Sequence, residues 1–207
     1  MINDLLSASI QQFKADCLQL CEQHYPTVHN RGMRGDHLGK ALCRRIISTL
    51  NQADIPAQVQ VVAHQNTADQ PVFRLDTPHF TLWVIAHRLV SANLARRESL
   101  IAAVETVKAA YQKQPHAHPH YLILVADHWF DRSKASKEIP AWWLGQLPEN
   151  TGDYLADGIR LLGCEQSLAQ RLTLPDGERQ IHHPLKRHSS SKTVHRYLLL
   201  TALYPLS

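Results

Sequence analysis

Ile2, Leu5, Leu6, Ile10, Phe13, Cys17, Leu20 and Cys21 recur three or four residues apart. That period lines apolar side chains along one stripe and predicts a helix over roughly 3–24, stopped by Pro26. HNRGMRGDH, 29–37, is Gly-rich and basic and reads as a loop. Asp36 stands where an N-cap belongs, ahead of a second helix over roughly 37–50. Leu38, Leu42, Ile46, Ile47 and Leu50 form its apolar side, with Lys40, Arg44 and Arg45 mostly opposite.

After Pro56 the period drops towards two. AQVQVVAH (57–64), PVFRL (71–75) and HFTLWVIAH (79–87) read as three strands, with a turn at Ala68–Gln70 between the first two. LARRESLIAAVETVKAAY (94–111) returns to helical spacing. YLILVAD (121–127) is apolar without a break, as a strand covered on both faces is. The pattern predicts an α/β fold: a single domain with a central mixed β-sheet flanked by helices, with core order α-β-β-β-α-β over about 37–127. Further on, DYLADGIRLL (153–162) predicts a short helix. RLTLPDGERQIHHPL (171–185) predicts two strands around an Asp176-Gly177 turn. SSSKTVHRYLLLTALY (189–204) predicts a last helix capped by serines, giving a C-terminal hairpin plus helix over about 171–204. No repeat and no linker divides the chain, so 1–207 reads as one domain.

A chain of 207 residues can bury a substantial core. Its formal charge of +4 permits DNA, RNA or another polyanion as partner without requiring one. The 14 histidines are the unusual count. Histidine titrates near neutrality, so they predict a clearly higher positive charge at pH 6. Cys17, Cys21, Cys43 and Cys164 form no CxxC pair, and the N-terminal stretch lacks the basic and apolar regions of a signal peptide. Buried thiols in a reducing cytosol, hence a cytoplasmic protein, are the expectation. No run approaches a membrane span, so no membrane partner is expected.

HAHPHYLILVADHW, 116–129, carries the most chemistry per residue. His116, His118 and His120 alternate, and Asp127 or His128 would complete a zinc shell. Geometry divides that set. A strand over 121–127 puts its ends about 20 Å apart at ~3.3 Å per residue, so His118 and Asp127 cannot share one ion. The three histidines then read as a wet connection ahead of a buried strand. Asp127, His128 and Asp131, with Arg132 and Lys134, fall at the carboxyl end of a strand, where ligands of open α/β sheets bind. On the chain's own geometry the metal candidates are therefore Asp127 and His128. The ion would be Mg²⁺ or Mn²⁺ if carboxylates dominate and zinc if histidines do.

The element order from about 37 to 127 resembles the core of the restriction-endonuclease-like superfamily. That resemblance implies an Asp opening the second core strand and an acid-x-Lys pair on the third, together holding Mg²⁺ for phosphodiester hydrolysis. Asp76, in RLDTPHFTLWVIAHR, sits near the first position. The third strand has no acid-x-Lys and ends Ala86, His87, Arg88. The likeness is one of topology alone.

Beyond Glu178 the chain has no acid. Arg179, Lys186, Arg187, Lys192 and Arg196 follow, interleaved with histidines. HPLKRHSSSK, 183–192, is the strongest phosphate-binding stretch, with Lys186, Arg187, Ser190, Lys192 and Arg196 as contacts, joined by Arg31 and Arg34 of NRGMRG. A solvated helix cap accounts for the same residues. Trp142 and Trp143 are adjacent: in extended backbone one faces inward and the other covers a groove or a protein partner. The sequence thus favours a nucleic-acid-associated accessory or binding protein with no catalytic residue assigned. A metal-dependent hydrolase or nuclease and a protein–protein interaction domain are the alternatives.

Overall fold

The computed structural model describes residues 2–24, 35–62, 71–89, 94–114, 117–174, 177–187 and 189–206. Arg31, Arg34, His116, Asp176 and the Ala68–Gln70 turn lie outside the described residues. Among the described residues the first helices are α1 (Ile2–His24) and α2 (Gly35–Gln52). β1 (Gln58–Val62), β2 (Val72–Asp76) and β3 (Thr81–Arg88) follow, then α3 (Leu94–Gln112) and β4 (His120–Trp129). Four short helices come next: α4 (Lys134–Lys137), α5 (Ile139–Leu144), α6 (Thr151–Ala156) and α7 (Leu168–Leu172). β5 (Glu178–His182) and β6 (Tyr197–Leu206) close the order.

The six strands form one mixed sheet in the order β1-β2-β3-β4-β6-β5. β1, β2 and β3 are an antiparallel meander. α3 carries the chain across the sheet so that β4 runs parallel to β3. β6 is antiparallel to both β4 and β5. The expected fold class and the α-β-β-β-α-β core are therefore present.

Alternation splits the core into two layers. Leu82, Val84 and Ala86 of β3, with Ile123 and Val125 of β4, face α1 and α2 and meet Leu6, Phe13, Leu38, Leu42 and Ile46. Trp83 and Ile85, with Leu122, Leu124 and Ala126, face α3, α5 and α7 and meet Leu100, Val104, Trp142, Trp143 and Leu168. A strand with an apolar layer on each side must be apolar at nearly every position. β3 and β4 are, which is why both are readable in the sequence.

The C-terminal expectations need correction. Residues 197–206 form a strand, not a helix. YLLLTALYPL has no polar stripe for a helix to show to water, and every residue except Pro205 is buried between β4 and β5. Arg171 and Leu172 belong to α7 rather than to a hairpin. A capping box explains this: Ser167 accepts from Gln170 N, and the Gln170 side chain accepts from Ser167 N. The hairpin of this region is β5–β6. The helix expected over 153–162 is limited to α6.

Gly39 sets how closely α2 approaches the sheet. A Cβ there would lie 2.5 Å from Phe73 Cε2 and 2.7 Å from the Ala86 Cβ. Gly39→Ala gains helix propensity of roughly 1 kcal/mol but forces α2 off the sheet, for a net loss of about 1–3 kcal/mol. Thermal unfolding is expected to show a midpoint several degrees lower. A raised midpoint would mean that α2 does not sit this close.

Candidate nucleic-acid interface

The register fixes which residues share an end of the sheet. At one end Asp76 opposes Thr81, and Thr81 opposes His120. At the other, Arg88 opposes Asp127, and Trp129 opposes Tyr197. Asp127 lies seven residue steps along β4 from His120, about 23 Å at ~3.3 Å per residue. Asp76 and Asp127 therefore belong to opposite ends and cannot bind one ion between them.

Asp76 is engaged at its own end. Arg74 Nε and Thr81 Oγ1 donate to Oδ1 at 2.9 and 2.8 Å, and Gln60 Nε2 donates to Oδ2 at 3.1 Å. Burial opposes its charge, but Thr81, Arg74 and Gln60 together outweigh that and hold its pKa below the ordinary carboxylate value. Because the Thr81 hydroxyl donates to Asp76, it accepts from His118 Nε2 at 3.0 Å. His118 stacks on His120, with ring centroids 5.4 Å apart. Trp83 Nε1 donates to His120 Nδ1 at 3.4 Å. The two described histidines of HAHPH are thus tied to the rim of the sheet. No group of three or more His, Cys, Asp or Glu side chains is placed to hold a metal ion among the described residues.

At the carboxyl ends of β3 and β4, Asp127 is buried and accepts from Tyr197 Oη at 3.0 Å. His128 is buried on the other face. Its Nδ1 donates to Leu89 O at 2.7 Å, so its Nε2 accepts from Ser136 Oγ at 2.7 Å. Ser136 Oγ in turn accepts from Asp131 N at 3.0 Å. Both ring nitrogens are occupied, and burial lowers the His128 pKa. This histidine is a neutral tie between β4, the end of β3 and α4. His87 behaves likewise: its Nε2 donates to Arg96 O at 3.1 Å, and burial pushes its pKa down to about 4.

Beyond this same end the chain makes an excursion from His183 to Arg196, between β5 and β6. Its outer part is a small hairpin. Val194 N donates to Leu185 O at 2.9 Å, Arg187 N to Lys192 O at 2.8 Å, and Ser191 N to Arg187 O at 2.9 Å. Ser191 turns the chain with φ of 52°. Leu185 and Val194 bury the root against Tyr197 and Trp129. Asp157 clamps it, accepting from Arg187 NH2 at 3.0 Å and from His195 N at 2.8 Å. Beneath lies an aromatic bracket: Tyr154 Oη and His183 Nε2 share a hydrogen bond of 2.8 Å, and the His183 and His195 rings are 4.7 Å apart. Burial first, then His195, His182 and Lys14, bring His183 to a pKa of about 4.

Lys186, Arg187, Ser190, Lys192 and Arg196 are exposed on this hairpin. Phe130 N donates to Arg196 O at 2.9 Å, which sets the hairpin beside the 131–133 loop and the start of α4, with exposed Arg132 and Lys134. The expected helix N-terminus at the serines does not exist, so the cations are presented by a turn instead. The structure brings five of the seven expected phosphate contacts to the end that also holds Asp127 and His128. Sequence reasoning missed Asp157 and Tyr154 as the hairpin's supports, since they come from a separate segment, and gave no sign that His195 packs on Tyr154.

The two tryptophans are a correction. Both lie in α5, a helix started by Pro140, and both are buried. The expectation that only one faces inward, the other covering a groove or a protein partner, assumed extended backbone. Trp143 Nε1 donates to Thr201 O at 3.0 Å. Trp142 carries the Arg97 guanidinium 5.2 Å from its ring centroid, in the wall of a cleft of about 650 Å³. Arg97 and Glu138 pair across that cleft at 3.4 Å, and Arg171 forks onto Glu98 with two 2.7 Å bonds. These four charges thus satisfy one another. No helix among the described residues is long and apolar enough to cross a membrane.

No known protein family matches the sequence, and no curated protein does. Among solved structures the chain is similar to truncated Caenorhabditis elegans TDP2, at 8% identity and a TM-score of 0.33, covering 77% of this chain and 80% of that one. It is also similar to selenomethionine TDP2 from Caenorhabditis elegans, at 8% identity and a TM-score of 0.31, covering 77% of this chain and 61% of that one. Likenesses at this level say nothing about what the chain does.

Proposed function

We propose that this protein binds the phosphate backbone of nucleic acid through the carboxyl end of its sheet. The observation that carries this reading is the exposed basic hairpin rooted there, with Lys186, Lys192 and Arg196 on the same end as Arg132 and Lys134. A rooted hairpin loses little entropy when it meets a charged strand, so its cations are preorganised for phosphate. Phosphate contacts position a protein without reading bases, and affinity built on them falls steeply with salt. Arg34 directly precedes α2, whose residue Gly39 lies against Ala86 near this end. Arg31 and Arg34 are the further contacts of this reading.

The test is fluorescence anisotropy with a labelled duplex and a labelled single strand across a salt series. Lys186→Ala and Lys192→Ala are combined, sparing Arg187 and Arg196, whose guanidinium groups both donate to Asp157. The variant is expected to bind about 10- to 100-fold more weakly. The log–log salt slope on duplex DNA should flatten by ~0.9 for every phosphate that is no longer neutralised. Lys113→Ala, just beyond α3 at the opposite end, should change nothing. Undetectable wild-type binding at low salt would sink the proposal.

A second reading is a metal-dependent phosphodiester hydrolase. It is favoured by the meander-plus-crossover order of β1 to β4 and by a buried carboxylate, Asp127, at the same end. β3 offers no acid for a second ligand. Incubating the same duplex with Mg²⁺ or Mn²⁺ separates the readings: nicking that Asp127→Asn abolishes supports hydrolysis, and intact DNA leaves binding alone.

A further inference from the structure

The two edges of the sheet are unequal. β5 carries Glu178 and Arg179 and is bridged to α1 by Ser7 Oγ to Glu178 Oε2 and Gln11 Nε2 to Gln180 Oε1, both 2.9 Å. β1, QVQVV, has neither charge nor proline, and its outer edge pairs with no strand among the described residues. Proteins commonly protect a free edge with lysine, proline or a bulge, because its open N–H and C=O groups invite another strand. β1 has none of these within its five residues.

Its side chains point the same way. Val59 opposes Leu75 and Val61 opposes Phe73, so all four share the face towards α1 and α2. Leu75 and Phe73 are buried in that layer, while Val59 and Val61 are 47% and 63% exposed. The apolar layer thus continues one strand past its cover.

We infer that β1 is the contact by which two copies of this chain associate, edge to edge and antiparallel, through a twofold axis at Gln60. A second copy is the occupant this strand fits because the pattern is self-complementary. With the axis at Gln60, Val59 of each copy stands opposite Val61 of the other, and Gln58 opposite Val62. Antiparallel pairing about an axis normal to the sheet keeps the α1 and α2 layers on one side, so the exposed valines continue a single apolar layer. A register slipped by one residue would set the Val59 and Val61 side chains of the two copies on opposite faces. The inference does not depend on the proposed nucleic-acid contact, which lies across the sheet near β5 and β6.

A five-residue ladder is a small contact, so the dimer should be concentration-dependent, with a Kd on the order of tens of micromolar. Sedimentation velocity on the full chain across that range should show the mass rising from monomer to dimer. Val61→Lys sets two like charges against the facing valines and should weaken association at least about tenfold. Gln60→Cys at the axis should yield a covalent dimer on mild oxidation that the wild type does not form. Cys17 and Cys43 are buried and Cys164 is partly so, and the wild type run alongside is the control for them. The inference is overturned by a wild type that stays monomeric at the highest concentration, or by a dimer that Val61→Lys leaves unchanged. If Val61→Lys fails to fold by circular dichroism, the Gln60→Cys result decides, and absence of cross-linking overturns the inference.

Discussion

Acidification from pH 7.5 to pH 4 is expected to remove most of the stability of this protein, with the steep part of the loss below pH 6.5. The cause is a set of histidines held neutral. His87 and His182 are buried, and burial pushes the pKa of each down to about 4. Their hydrogen bonds suit the neutral ring: His87 donates to Arg96 O, and His182 Nε2 meets Thr201 Oγ1 at 3.0 Å. In the unfolded chain the same rings take up a proton near pH 6.5. Between pH 6.5 and pH 4 the unfolded state therefore binds more protons than the folded one. The stabilisation is complete above about pH 6.5 and lost as the pH falls through that window. A gap of this size amounts to about 3 kcal/mol for one such ring. Two of them, with His183 and His128 adding in the same direction, approach the ~5–15 kcal/mol that a whole domain commands. Asp76 acts in a separate, lower window, because its pKa is held below the ordinary carboxylate value and its contribution disappears only below that. Urea denaturation at several pH values checks this. A midpoint constant down to pH 4.5 would show that these rings are not buried neutral. The 14 histidines therefore add less charge at pH 6 than their number implies, since several are structural.

What is legible in the sequence, and what is not, follows from how local each signal is. α1, α2, α3, β3 and β4 are legible because period 3.6, period 2 or a short unbroken apolar run marks them within their own residues. β6 is also an unbroken apolar run, but it follows three serines and has helical length. Such a run cannot be told from a buried helix segment by period alone. Pro140 at the start of α5 is a usable sign of helix, and would have turned both tryptophans inward. Ser167 with Gln170 three residues later is a usable sign of α7. The basic residues of 183–196 are visible as charges, but their place at the carboxyl end of β4 is not. That place depends on Trp129 pairing with Tyr197, two residues far apart in the chain. The separation of Asp76 from Asp127 can be anticipated only in part. The register between β2, β3 and β4 settles it.

Trp143→Ala is expected to cost about 3–5 kcal/mol, the range for deleting a fully buried aromatic ring. Trp143 has 0% of its surface exposed and lies 6.1 Å, centroid to centroid, from Trp142. Its indole nitrogen donates to Thr201 O, so one ring links α5 to the middle of β6, while the Thr201 hydroxyl meets His182. Trp143→Phe keeps most of the apolar volume and loses the N–H, so it should cost less, about 1–2 kcal/mol. A ring kept for a protein partner would behave differently: truncation would weaken binding and leave the unfolding midpoint in place. Urea melts of the two variants therefore decide between the roles, and a Trp143→Ala loss below about 1 kcal/mol would contradict the buried position. Trp142→Ala takes the platform from under Arg97, whose guanidinium also donates to Ala135 O at 2.7 Å. Its effect should reach the cleft wall, while Trp143→Ala acts on the sheet. The pair is adjacent in sequence, yet one ring supports a charged surface and the other locks the strand that leads out of the basic hairpin.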